Sequence, residues 1–136
     1  MTDTCRITNF DEQRNEIVTT KNIKTAERVF KALSDSNRLR ILKMLQVKPM
    51  AVCEITSILK LAPSTVSNHL AILRDAGFIE DEKDGKWVNY RLSGEYLEKY
   101  VSELAPLFKE WLEDDPVVKD DMKQAKIVDR FVICKQ

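Results

Sequence analysis

Ser64, Thr65, Ser67, Asn68 and His69 carry short hydrogen-bonding groups of the kind that touch base edges and phosphates. Such residues are poor helix stabilisers, because their side chains compete for the backbone's own hydrogen bonds, so five of them at the start of one helix ask for another use. Arg74 further along, and Lys83 and Lys86 beyond it, add cations that suit a phosphate backbone. The other reactive side chains are three cysteines, Cys5, Cys53 and Cys134, spread over the whole chain. Their spacing makes neither a disulfide framework nor a CxxC metal knuckle, which predicts reduced thiols in a cytoplasmic protein. Catalysis is disfavoured: there is one histidine with no carboxylate cluster around it and no glycine-rich loop.

The elements that must position these residues are legible from periodicity. Val66, Leu70 and Leu73 recur at spacings of four and three, which predicts a helix with one apolar stripe. Pro63 suits its first turn and Gly77 the position just past its end. Upstream, Val52, Ile55, Ile58 and Leu59 form a second stripe, followed by a tight Lys60-Leu61-Ala62 connection. Two short helices with a polar-faced second member match a helix-turn-helix, although an ordinary helical hairpin with a solvated face gives the same local pattern. Phe78–Lys83 and Trp87–Leu92 then read as strands around Asp84-Gly85, a hairpin tipped with Lys83 and Lys86. A helix-turn-helix followed at once by such a hairpin predicts a mostly α fold with a small β-hairpin wing, the helix entering the major groove and the tip reaching the neighbouring backbone or minor groove.

The flanks predict a homodimer. Ala26, Val29, Phe30 and Leu33 form a stripe ending at Ser34-Asp35-Ser36, which can cap a helix with Leu39, Ile41, Leu42 and Leu45. Leu97, Tyr100, Val101, Leu104, Leu107, Phe108, Trp111 and Leu112 keep helical spacing, with Pro106 inside the run predicting a kink or interruption. Residues 25–33 and 95–112 are wider and more aromatic than a small winged core needs, and paired heads on successive major-groove faces require a two-fold interface. The alternative, that the second helix only closes the monomer core, stays open. The chain divides into an N-terminal arm (1–22), the winged domain with its dimerisation helices (23–114) and a C-terminal tail (115–136). Both ends are expected to be mobile or to wrap the dimer, with 117–128 helical and 131–134 a short strand or packed on the dimer surface. Net charge is zero, but residues 23–92 hold twelve basic against eight acidic side chains, so the positive excess lies with the reading head. No apolar stretch is long enough to span a bilayer, and the polar start Met1-Thr2-Asp3-Thr4 does not read as a signal peptide.

Ala32 to Leu42, Val52 to Ile55, Ser64 to Leu70, Arg74 to Gly77 and Asp84 to Leu92, in that order, closely resemble the ArsR/SmtB repressors over roughly residues 25–112. That resemblance implies a homodimeric winged helix-turn-helix repressor that sits on double-stranded operator DNA and lets go when a metal or metalloid ion binds, with no permanently bound cofactor. The zinc-sensing members use His and carboxylate ligands on the last helix, and here the one histidine is His69. Arsenic-sensing members typically carry Cys-Val-Cys where this chain has Ala51-Val52-Cys53, so one thiol is kept and one lost. As(III) and Sb(III) are soft and favour three thiolates, so Cys53 could anchor such a site only with Cys5 or Cys134, within one chain or across a dimer. Two alternatives remain: a repressor of the same fold that senses oxidants through these thiols, and a winged-helix protein-interaction module without DNA binding. In a further reading Cys53 is a small buried residue with no regulatory part.

Overall fold

A computed structural model describes residues 22–96 and 99–134 of the 136-residue chain. Helix α1 (Ile23–Leu33) begins where the Asn22 side chain accepts the Thr25 N–H at 2.9 Å, and it turns Val29 and Ala32 inward while Phe30 stays exposed. Asp35 caps α2 (Ser36–Leu45), accepting the Asn37 and Arg38 N–H groups at 2.8 and 3.2 Å. Both caps satisfy backbone donors that a helix start leaves without partners. A two-residue strand, β1 (Met50–Ala51), leads directly into α3 (Val52–Leu59). Lys60 takes a left-handed conformation (φ 58°) to end α3, and α4 (Pro63–Ala76) starts on Pro63 and stops at Gly77, φ 96°. The predicted helix-turn-helix is therefore present with its predicted boundaries.

Strands β2 (Ile79–Asp84) and β3 (Trp87–Leu92) form the wing, and β1 adds to the outer side of β3 in an antiparallel sheet ordered β1–β3–β2. The register pairs Asp84 with Trp87, so the tight turn is Gly85-Lys86 and not Asp84-Gly85. Gly85 sits at φ 64°, a conformation that costs glycine nothing. Strand β1 had no signal in the sequence, since two residues cannot show alternation. It ties the wing to the start of α3 through Met50 opposite Tyr90 and Ala51 opposite Asn89.

Helix α5 (Lys99–Phe108) holds Pro106 and ends two residues beyond it, so the apolar stripe continues to Leu112 on a turn and not on a helix. Proline removes a backbone donor and crowds the preceding turn, which explains the early stop. The turn is held from beneath by Lys43, fully buried in α2, whose Nζ donates to the carbonyls of Phe108 and Lys109 (3.5 and 3.2 Å) and to Glu113 at 3.1 Å. The segment expected to be a tail folds back. Helix α6 (Pro116–Ile127) is capped by Asp115, and α7 (Arg130–Ile133) by Asp129, which accepts the Phe131 N–H at 2.9 Å. That cap makes Arg130–Ile133 a helical turn, so of the two expectations for 131–134 the short strand is not formed. The expected N-terminal arm, Cys5 included, lies outside the described residues over 1–21.

The core gathers Val29 and Ala32 of α1, Ile41 and Met44 of α2, Ile55 of α3 and Val66, Leu70 and Leu73 of α4, all without solvent exposure. Burying a side chain of this size contributes about 1.5–3 kcal/mol, so the α4 stripe alone holds its helix firmly against the domain.

Candidate nucleic-acid interface and thiol site

With Val66, Leu70 and Leu73 inside, helical geometry turns Ser64, Thr65, Ser67 and Asn68 to solvent, and all four are exposed on one face of α4. His69 is not among them. It lies one step from Leu70 on the buried side, 9% exposed, and its Nδ1 meets Arg38 Nη1 at 3.0 Å. A guanidinium cannot accept, so Nδ1 is the acceptor and the imidazole proton sits on Nε2. Arg38 also donates to the carbonyls of Ala32 (2.8 Å) and Lys31 (3.0 Å), so it joins the end of α1 to the middle of α4. Beside this joint, α1 and α4 border a cleft of about 550 Å³ that Lys24, Arg28, Lys31 and Arg38 line from the α1–α2 side.

Asp35 completes the joint. Burial by itself would raise its carboxyl, but the N–H groups of Arg38 and Asn37 and the nearby positive charge of Arg38 outweigh burial and hold it below the ordinary value of 3.8. Arg74, expected to be available to DNA, donates to Asp81 of β2 at 2.9 Å, and that hydrogen bond is the main reason its guanidinium is held more basic than usual. The contact ties the end of α4 to the wing. Across the wing, Arg91 bridges Glu80 (2.8 Å) and Glu82 (3.4 Å). Lys83 and Lys86 are exposed near and at the wing turn, with the Lys86 ammonium 5.1 Å above the Trp87 ring.

Two of the three thiols meet. Cys53, in the first turn of α3, and Cys134, just past α7, are joined as a disulfide with Cα atoms 5.6 Å apart across 81 residues of sequence. Cys134 is 5% exposed. Next to the pair, the almost fully buried Glu54 carboxylate accepts the Ala51 N–H at 2.8 Å and faces Arg130 at 3.2 Å. Sequence reasoning missed Glu54, Arg130, Trp87 and Phe131 as parts of this corner. Glu54 three residues after a helix start is a capping signal, whereas nothing local marks Arg130 as its partner or Trp87 and Phe131 as rings packed beside that pair. Among the described residues no group of three or more His, Cys, Asp or Glu side chains could hold a metal ion.

An apolar groove of about 740 Å³ runs between α1, α2 and the end of α5, lined by Phe30, Leu33, Leu39, Leu104, Trp111 and Leu112 among others. Phe30 (60% exposed) and Trp111 (43%) stand open there, on the two stripes from which a dimer was predicted. Among the described residues no helix is long and apolar enough to cross a membrane.

The family model for bacterial regulatory proteins of the arsR family matches residues 35–81, from the cap of α2 into the wing. The arsenic resistance transcriptional regulator ArsR1 of Pseudomonas putida is 36% identical over 99 residues, 70% of this chain and 77% of that protein. The arsenical resistance operon repressor of Bacillus subtilis is 36% identical over 107 residues, 77% of this chain and 97% of that protein. Among solved structures, the homodimeric winged helix-turn-helix DNA-binding domain from Mycobacterium bovis superposes with a TM-score of 0.54 at 30% identity, covering 67% of this chain and 84% of that one. An exposed polar face on α4, a wing built directly on it and relatives that span most of their own length in the match lead to one assignment: the chain belongs to the ArsR family of winged helix-turn-helix DNA-binding transcriptional regulators.

Proposed function

We propose that this protein is a homodimeric cytoplasmic repressor that leaves its operator when a trivalent arsenic or antimony ion is captured by Cys53 and Cys134. The observation that carries this reading is the meeting of those two thiols in the first turn of α3, the helix that supports the reading helix. In the dithiol form they offer two soft sulfur donors, the chemistry that As(III) and Sb(III) prefer. Cys5, or a thiol of the second protomer, would supply the third. The ion supplies a bridge between sulfurs; the chain's own part is to make that bridge favour one arrangement of α3. Relatives named for arsenic resistance support this choice of inducer.

On the DNA side, Ser64, Thr65, Ser67 and Asn68 face base edges while Lys83 and Lys86 take phosphates. His69 and Arg74 act behind this surface, holding α4 to α1 and to the wing. The groove lined by Phe30, Leu104 and Trp111 receives its counterpart from a second copy, as two half-sites require.

A thiol-redox reading of the same site is favoured by one specific observation, the Cys53–Cys134 bond itself. A hydroperoxide would oxidise one thiolate to a sulfenic acid with loss of water or alcohol, and the second thiol would then displace water to give the disulfide. Titrating the reduced dimer with duplex from its own promoter separates the two. Release by arsenite under reducing conditions supports the metalloid reading; release by peroxide with no response to arsenite supports the redox one. Equal affinity for promoter and unrelated duplex, with neither agent acting, would contradict both.

A further inference from the structure

The C-terminal helices cross from one side of the domain to the wing. Asp121 of α6, 2% exposed, accepts from Nε and Nη2 of Arg40 at 2.7 and 2.9 Å. Lys48 donates to the Val128 carbonyl at 2.7 Å. Arg130 then meets Glu54, and Cys134 meets Cys53. Beyond these anchors the segment reaches β3. The Phe131 ring sits edge-on to Trp87 with centroids 4.8 Å apart, and the Arg130 guanidinium lies 5.3 Å from the same ring. Lys86 also packs on Trp87, so the wing's turn cation is engaged with the indole and not extended.

Two polar atoms of β3 are left without partners in this arrangement among the described residues: the buried indole N–H of Trp87 and the buried Oδ1 of Asn89. Both lie on one face of the strand, two residues apart. Buried groups without a hydrogen bond are uncommon and disfavour the state that buries them. The docked arrangement gains its ion pairs, while Trp87, against which Phe131 and Arg130 pack, keeps an unpaired indole N–H.

We propose that residues 116–134 are a brace whose docking on Trp87 holds the wing in its DNA-released position, and that a bridge between Cys53 and Cys134 is the tie that keeps it docked. Trp87 is the positioning residue: with Phe131 and Arg130 against it, Lys86 stays folded over the ring; with the brace loosened, Lys86 is free for phosphate. The proposal rests on the thiol-sensing reading above and names how that site reaches the DNA. By reciprocity, operator binding must weaken any bridge between the two sulfurs by the same factor.

The test uses the full-length dimer reduced with a phosphine, or oxidised with diamide, which takes up the two electrons and two protons that leave the thiols; peptide mapping verifies the Cys53–Cys134 bond. Operator affinity is measured in both states. Unsubstituted protein is expected to bind more weakly when oxidised, within the roughly 5–150-fold range typical of coupled sites. Phe131→Ala, at a side chain 76% exposed, should bind as tightly when reduced but lose most of that factor on oxidation, and Phe131→Leu gives an intermediate case. In a Trp111→Phe background, acrylamide quenching of Trp87 should rise on reduction and in Phe131→Ala. An oxidised-to-reduced ratio identical in unsubstituted and Phe131→Ala protein, with Trp87 equally quenched, overturns the brace while leaving thiol sensing in place. A ratio of one in unsubstituted protein removes the disulfide as a regulatory tie, and the brace with it, while metalloid capture by the reduced thiols stays open to the arsenite titration.

Discussion

Asp35 and Arg38 show how a few side chains set the reading helix before any DNA is present. Asp35 caps α2, and Arg38 spans from the end of α1 to His69 in α4. Because the folded carboxyl of Asp35 is held below 3.8, its charge stabilises the fold above that value, and the contribution fades as pH falls through the folded value. Asp35→Ala should therefore lower stability by about 1 kcal/mol near neutrality, the usual cost of losing such a cap. Denaturant unfolding below pH 3.8 should show the difference shrinking; a difference that grows with acid would contradict the assignment. On the exposed face of α4, Ser67→Ala and Asn68→Ala should each weaken specific operator binding by roughly 1–3 kcal/mol if they touch a base, with folding unchanged. His69→Ala should behave oppositely, lowering stability more than specificity. The inward position of His69 was within reach of the sequence: Val66, His69, Leu70 and Leu73 follow the three-and-four spacing of the stripe, and only the polar type of the residue argued for the outer face.

Helices and strands with strong local signals were legible, and those made by distant contacts were not. Pro63 and Gly77 bracket α4 as their backbone preferences dictate, and Asp35 caps α2. By contrast β1 exists because Met50 and Ala51 find Tyr90 and Asn89 forty and thirty-eight residues away, a pairing that no local pattern announces. The return of α6 and α7 depends in the same way on Arg40 meeting Asp121 and Arg130 meeting Glu54. The thiol corner was half legible. Cys53 and Cys134 were recognisable as candidates, but their meeting follows from that return. For the wing, removing Lys83 and Lys86 together should lower affinity for all duplexes alike and reduce the slope of log affinity against log salt by about one unit per phosphate contact. Lost sequence discrimination at an unchanged slope would instead assign these lysines to bases.

As a whole, the molecule presents a polar reading face, a thiol corner behind it and an apolar groove that asks for a second copy. Trp111→Asp places a charge in that groove and should convert the dimer to monomers, seen by sedimentation as a halved mass together with lost operator affinity. Unsubstituted protein that sediments as a monomer at micromolar concentration would contradict the assembly. In the proposed dimer, one molecule would read two half-sites, so weakening this interface should act on DNA binding without touching α4. Coupling between thiols and DNA is tested most directly by operator titration of Cys53→Ser beside unsubstituted protein, each reduced and each with and without arsenite. Cys53→Ser should bind the operator as tightly as the unsubstituted dimer and stay bound at arsenite concentrations that release the latter. If Cys53→Ser is released at the same arsenite concentration, the sensing site does not include Cys53, and the link drawn here between the thiol corner and the reading helix is wrong.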